Sequence, residues 1–360
     1  MKFCISKYNF NRKSGRAQEV AQNTYGCGSG IPRDKFQQPF ACDSIWNMPI
    51  GSNADYVSAN IGSPGAAVDT DWLIGTRESD PQVPTYMPGA WGEGRCTGTT
   101  PQQQAQWHPA AAEMLHVPYE LIIPDAQGIR TPNNSSAFLK PNGRTLVSFS
   151  VTARCQQGGP LYGSWFGEQD IYGDGIAGGH GGSALSSIGG SIRNGELLND
   201  APIPHALKLD IWGNWLYYNP NSQTPGYRWP AAFADFNAPN QYKGSNPALV
   251  MGSLLAIPPD VTAESLGLHS HAGKKLFQAL QDYGAYIVDD AGWDYNYLCV
   301  ESRAAQEYQA VNGYSIDDDK ALQADFLKLI ATVKVVNNNS PNSIGGGGIP
   351  RVSLASPIGN

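Results

Sequence analysis

Glycines flank His180 on both sides, and the stretch from Asp170 to His205 that surrounds it sets the character of the chain. It reads Glu168-Gln169-Asp170-Ile171-Tyr172-Gly173-Asp174-Gly175, then Ile176-Ala177-Gly178-Gly179-His180-Gly181-Gly182-Ser183. It continues through Gly189-Gly190-Ser191-Ile192-Arg193-Asn194-Gly195-Glu196-Leu197 and ends at Pro204-His205-Ala206-Leu207-Lys208. A backbone without Cβ atoms reaches left-handed conformations and lets another group approach closely. The rest of the chain agrees with a fold of short strands and tight turns. Glycine is 41 of 360 residues, about 11% against a typical ~7%. Charged residues are only 15%, while Trp and Tyr number 9 and 17. That balance suits flat polar-aromatic surfaces of the kind that grip sugars, and it equally suits stable extracellular β proteins.

Strand signals are clearest at Thr145–Ala153, where Leu146, Ser148 and Ser150 alternate with Val147, Phe149 and Val151. Tyr119–Ile123, Ala206–Tyr218, Ala248–Ile257 and Ala285–Val288 read as further strands. Ser270–Tyr283 and Asp317–Val333 have apolar residues at helical spacing, the first followed by Gly284 and the second opened by acidic residues. Pro109–Leu115 has brief helical character, and residues 60–105 read as long loops. The expected fold class is therefore mainly β: a β-sandwich or jelly-roll-like core with peripheral α-helices and long loops. Three regions are expected: an N-terminal arm or anchoring segment at 1–38, one globular β-rich domain at 39–336 and an irregular tail at 337–360.

The formal net charge is −7, which argues against a duplex-binding protein, since that role needs Lys and Arg to replace counterions. No apolar run approaches the ~18 residues of a membrane span. Met1–Tyr8 lacks the apolar core of a signal peptide. The expected location is nonetheless extracellular or virion-associated, with release by lysis as one route. The six cysteines form no CxxC pair, so a zinc ribbon is not expected. Disulfides would order the loop-rich region of Cys4, Cys27 and Cys42.

The glycine-rich stretch excludes several chemistries. No GK[ST] follows the glycines, as a phosphate loop requires. Asp170 and Asp174 lie four apart, but no calcium-binding nonapeptide repeats. Gly181-Gly182-Ser183-Ala184-Leu185 lacks the last glycine of a nucleophile elbow. No cofactor and no metal are expected. Two chemistries remain. Carboxylates such as Glu168, Asp170, Asp174 and Glu196 would serve glycoside hydrolysis, with one protonated and one ionised. A polysaccharide lyase would need a base, an acid and a cation, types supplied by His180, His205, Tyr227, Arg193 and Arg228. The candidate catalytic residues are His180, His205, Glu196 and Arg193. The candidate substrate-binding residues are Asp170, Asp174, Tyr227, Arg228, Trp229 and Asp289. Asp289 and Asp290 sit at a strand end, where neighbours in an extended chain point to opposite faces.

The series Gly178–Leu197, Pro204–Lys208, Tyr227–Ala231, Ala279–Asp290 and Gly345–Gly348 resembles a group of bacterial secreted and phage-borne proteins with no established activity. The order Arg193-x-Gly195-Glu196-Leu197, then His205, is similar to alginate-lyase-like jelly rolls. That resemblance implies an arginine–glutamate strand followed by a histidine strand. The functional expectation is a carbohydrate-active protein that cleaves a polysaccharide, as lyase or glycoside hydrolase, in a phage tailspike-like setting. The alternative is a non-catalytic glycan- or receptor-binding protein, or a structural subunit of a virion or extracellular filament. Its expected partner is a polysaccharide or cell-surface glycan, with homo-oligomer or virion assembly through the N-terminal arm, and no nucleic acid.

Overall fold

The computed structural model describes residues 26–62, 65–97, 114–128 and 132–359. Among them the protein is mainly β. Eleven strands join edge to edge in one mixed sheet. From one edge they are β1 (Tyr56–Ser58), β13 (Lys334–Val336), β10 (Leu254–Ala256), β11 (Ala285–Ala291), β9 (Leu207–Trp212) and β12 (Asn296–Glu301). Then come β2 (Ala66–Gly75), β6 (Ser136–Leu139), β7 (Thr145–Ala153), β8 (Leu161–Asp170) and β4 (Thr85–Tyr86). A separate pair joins β3 (Gln82–Val83) to β5 (Leu115–His116). The pairs β11/β9, β12/β2, β2/β6 and β4/β8 are parallel, and the other ladders are antiparallel. Parallel neighbours need crossovers, which explains the long connections between strands.

The central strands are buried on both faces, as strands of mixed sheets with covered faces must be. On one face Leu207, Leu209 and Ile211 of β9 meet helix α2 (His271–Asp282) and helix α4 (Lys320–Thr332) through Leu276, Leu280, Phe326 and Ile330. Helix α3 (Ser302–Asn312) lies against β2 and β12, and α1 (Ala238–Gln241) is a single turn. The opposite face carries Tyr286, Val288 and Cys299 beneath Phe40, Trp46, Leu185 and Ile188. Loops of the glycine-rich stretch, not helices, thus roof this second face. The period-two reading of β7 holds for Leu146, Val147 and Phe149, whereas register shifts after Ser148 and the φ of +52° at Val151 interrupt it further on. Leu146 enters the core with Trp46, while Val147 and Phe149 enter a third core with Phe138 and Leu161.

The helices begin where their capping chemistry puts them. The Ser270 hydroxyl accepts from Gly273 N, so α2 starts at His271. Asp319 accepts from Leu322 N and starts α4, after a 3₁₀ turn at Ile316–Asp318 that breaks the expected continuous Asp317–Val333 helix. Within Ala206–Tyr218 only β9 is strand, because Gly213–Trp215 turns as a 3₁₀ helix. Ala248–Ile257 contributes only Leu254–Ala256, and Tyr119–Ile123 only the bridge of Ile123 to Arg154. The Pro109–Leu115 reading falls largely outside the described residues. The region expected to be loops at 60–105 contains the ten-residue strand β2.

Disulfides join Cys27 to Cys42 and Cys96 to Cys155, and Cys299 is a buried free thiol. The first ties the end of the expected arm to the body. The tail wraps the body: Pro350 bridges Gly51, and Ile358 bridges Arg33. Among the described residues no helix is long and apolar enough to cross a membrane.

Candidate functional site

Strand alternation places Lys208 and Asp210 of β9 opposite the leucines that meet the helices. Register then builds a polar row across four strands on that face. Asp289 of β11 pairs with Asp210, Asp210 pairs with Tyr297 of β12, and Cys299 of β12 pairs with Asp69 of β2. His180 descends onto the row from the glycine-rich roof and is fully buried.

Its centre is a closed network. The Lys208 ammonium donates to Asp71 Oδ2 at 2.8 Å, to Ser187 O at 2.8 Å and to His180 Nδ1 at 3.0 Å. Ser191 Oγ donates to Asp71 Oδ2 at 2.6 Å. His180 Nε2 lies 3.5 Å from Asp210 Oδ1, and the Cys299 thiol points at the same carboxylate at 3.6 Å. Both His180 Nε2 and Asp71 Oδ1 are buried without a hydrogen-bond partner. Burial pushes the Cys299 thiol well up, and Asp210 and Asp71 push it further. Burial also raises Asp69 well above the carboxylate range, with Asp210 and Asp71 adding to it.

At the end of the row three carboxyls meet. One oxygen each of Asp235, Asp289 and Asp290 lies within 4.8 Å of the others. β11 has a register shift between Ile287 and Asp289. Adjacent residues of a regular strand point apart, but this irregularity lets both Asp289 and Asp290 reach Asp235. Asp289 accepts from Gly182 N at 2.9 Å and from Asn133 Nδ2 at 2.5 Å. Tyr242 donates to Asp235 at 2.5 Å. Burial raises Asp289 well above its ordinary value, reinforced by Asp235, Asp210 and Asp290. Burial and the neighbouring Asp235 push Asp290 up to about 8. Burial raises Asp235 as well, and the hydrogen bond from Tyr242 acts in the opposite sense. The carboxyls therefore crowd one point in unequal surroundings: Tyr242 donates to Asp235, while Asp290 Oδ2 is buried without a hydrogen-bond partner. Asp289 is 5% exposed, and the other two are half-buried.

The glycines explain how the roof comes so close. A Cβ on Gly181 would stand 2.0 Å from Asp289 Cγ, and one on Gly182 would stand 2.4 Å from Asp235 Cγ. Gly181 also has φ +46°, in the left-handed region. Exposed aromatic side chains lie in the segments that follow Asp290 and Asp235 in the chain. The loop from β11 to β12 crosses the end of β9 and carries exposed Trp293 and Tyr295. Trp293 Nε1 donates to Tyr297 Oη at 2.7 Å, and Trp212 ends β9. Burial, and the charges of Asp69 and Asp210, push Tyr297 up to about 12. Phe236, beside Asp235, is 98% exposed.

Of the residues singled out from sequence, His180 and Asp289 belong to this row. His205, Glu196 and Arg193 form a second buried group. His205 Nε2 lies 3.1 Å from Glu196 Oε2, and its Nδ1 is 2.9 Å from Ala206 O. Arg193 N donates to Glu196 at 2.6 Å, and its guanidinium lies 3.8 Å from Glu301. Arg193–Leu197 is a turn, and His205 precedes β9, so neither forms the strand that the jelly-roll resemblance implies. Asp170 pairs with Arg144 on the surface at the end of β8. Asp174 closes a turn by accepting from Ile176 N. Tyr227 bridges Met251, Arg228 donates to Asn337 O at 2.7 Å, and Trp229 packs beside the core of Trp46. The residues that sequence reasoning missed are Asp69, Asp71, Lys208, Asp210, Asp235 and Cys299. A signal for two of them was present: Lys208 and Asp210 alternate with apolar residues in a segment that reads as strand.

Comparison with protein-family models, with curated proteins and with solved structures finds no match to this chain.

Proposed function

We propose that the chain is a carbohydrate-active protein that hydrolyses a polysaccharide, using Asp290 as general acid and Asp235 as its carboxylate partner. The observation that carries this reading is the convergence of Asp235, Asp289 and Asp290 on one half-open point beneath Gly181-Gly182. Glycoside hydrolysis asks for one protonated and one ionised carboxyl, and Asp290, pushed up to about 8, beside Asp235, which accepts from Tyr242, offers two carboxyls in unequal surroundings. Asp289 fixes the geometry, held by Gly182 N and Asn133. Trp293, Tyr295 and Phe236 offer exposed rings on which sugar faces stack. The two disulfides suit action outside the cell, in keeping with the extracellular or virion-associated expectation.

The hydrolase reading is favoured over the lyase because neither candidate imidazole faces solvent. His180 is fully buried, and His205 is 4% exposed with both ring nitrogens engaged. The exposed rings equally favour glycan binding without cleavage, so the test separates the two. A panel of neutral and uronate-bearing bacterial polysaccharides is incubated with the protein. New reducing ends without unsaturated uronate are expected. Asp290→Asn and Asp235→Asn should each lower turnover by about 10²–10⁴-fold. No product from any polysaccharide, with retained binding in an affinity gel, would leave the glycan-binding reading in its place.

A further inference from the structure

We propose that His180, Asp210 and Cys299 form the ligand set of a buried divalent transition-metal ion of the zinc type. The three side chains come from distant parts of the chain, the glycine-rich roof, β9 and β12, and bring imidazole, carboxylate and thiol together. All three are buried. His180 Nε2 stands 3.5 Å from Asp210 Oδ1, and Cys299 Sγ stands 3.6 Å from the same oxygen. Ligand atoms ~2.0–2.3 Å from a tetrahedral ion stand about 3.3–3.6 Å from one another. The first separation is too long for a good hydrogen bond, and it fits an edge of such a tetrahedron.

A second observation points to the same place. His180 Nε2 is a fully buried nitrogen with no hydrogen-bond partner, and it is aimed at this point. Buried polar atoms of folded proteins are seldom left unpaired. Asp71 Oδ1, also unpaired, lies 3.6 Å from His180 Nδ1. The other ring nitrogen of a metal-bound imidazole is commonly held by an outer shell, and here Lys208, itself fixed by Asp71 Oδ2, holds Nδ1 at 3.0 Å. One ion therefore gives a role to the orphaned His180 nitrogen.

The proton balance is simple. Without an ion, the Lys208 ammonium donates to Nδ1, so the ring hydrogen sits on Nε2. On binding, bonds form from the ion to Nε2, to Asp210 oxygen and to Cys299 sulfur. The N–H bond at Nε2 and the S–H bond of Cys299 break, both protons leave to solvent, and Nδ1 goes on accepting from the Lys208 ammonium. Lys208 keeps Asp71 Oδ2 and Ser187 O. Asp69 lies opposite Cys299 across β12 and β2. A mixed N, O and S donor set selects zinc-like ions over calcium or magnesium, whose partners are oxygens.

Because the site is closed, the ion is loaded by refolding the full chain from urea with its disulfides intact, in the presence of Co(II) or Zn(II). The protein carries Cys4→Ser, so a thiolate signal can only arise from Cys299. The expected result is one ion retained per chain after dialysis, a sulfur-to-cobalt charge-transfer band and the strong visible bands of tetrahedral Co(II). Zn(II) should raise the urea midpoint of this protein and leave that of Cys299→Ala unmoved. Asp71→Asn should weaken Zn(II) binding about 10–100-fold. Absence of the charge-transfer band in the refolded Cys4→Ser protein overturns the proposal, whether or not the ligand variants fold. Equal Zn(II) retention by Cys299→Ala overturns it as well.

Discussion

Substituting Gly181 by Ala tests whether the glycine-rich roof exists to approach carboxyls. The added Cβ would lie 2.0 Å from Asp289 Cγ and 2.3 Å from its Oδ1, far inside van der Waals contact. Asp289 cannot swing away freely, since Gly182 N and Asn133 Nδ2 hold its two oxygens and the residue is buried. Two costs arise. Holding an Ala at φ +46° costs about 1–2 kcal/mol, and forcing atoms into a filled site costs about 1–3 kcal/mol. The expected loss is therefore about 2–5 kcal/mol of unfolding free energy, read from urea equilibrium denaturation by tryptophan fluorescence. The two parts separate in a double-mutant cycle with Asp289→Ala. Removing Asp289 Cγ removes the overlap and leaves only the backbone cost. Gly181→Ala in the Asp289→Ala background should thus cost only about 1–2 kcal/mol, a coupling of about 1–3 kcal/mol. Additive costs, within about 0.5 kcal/mol, would refute the argument, because the glycine would then serve only its own turn.

Two further outcomes follow from the buried ion pairs. Lys208→Met should cost about 3–5 kcal/mol in the same assay with chelator present, because it strips Asp71 of its cation at full burial, and Lys208→Met/Asp71→Leu should recover part of that loss; a single-variant loss under about 1 kcal/mol would refute it. Glu196 is pushed up by burial, but His205, Arg193 N and the Arg193 charge outweigh this and hold its pKa below the ordinary value, so its contribution is present above the unfolded pKa of ~4.3 and is lost as pH falls through the lower folded one. Urea midpoints of the wild type should accordingly fall on acidification below about pH 5 more steeply than those of Glu196→Gln, and parallel pH profiles would contradict this.

The mainly β fold was legible because it rests on local pattern. The sequence of β7 alternates, and its first half sorts as that pattern asks, Leu146 into one core and Val147 and Phe149 into another. Helix α2 was legible from its stripe and from Gly284, which takes φ +77° after the helix. β2 was not legible, and the reason is physical. Its sequence Ala66-Ala67-Val68-Asp69-Thr70-Asp71-Trp72-Leu73 sets two acids on one face. Taken alone, such a segment reads as a polar loop. The acids are buried only because β12 and β9 bring Lys208 and Cys299 beside them, and that pairing spans more than two hundred residues. His180 and Asp289 were legible as chemistry-bearing types beside glycines and at a strand. Lys208 and Asp210 alternate with apolar residues in an expected strand, but nothing local tells that the face carrying these charges is covered.

The row also explains why the two assignments made from it sit side by side. Asp210 is the shared member: it faces His180 and Cys299 on one side, and its charge raises Asp289 and Asp290 on the other. A dication bound to Asp210 would neutralise part of that charge. The protons on Asp289 and Asp290 would then be held less tightly, because like charge at short range is one of the causes keeping them there. Loading the buried site would thereby be coupled to the protonation of the half-open one through a single carboxylate.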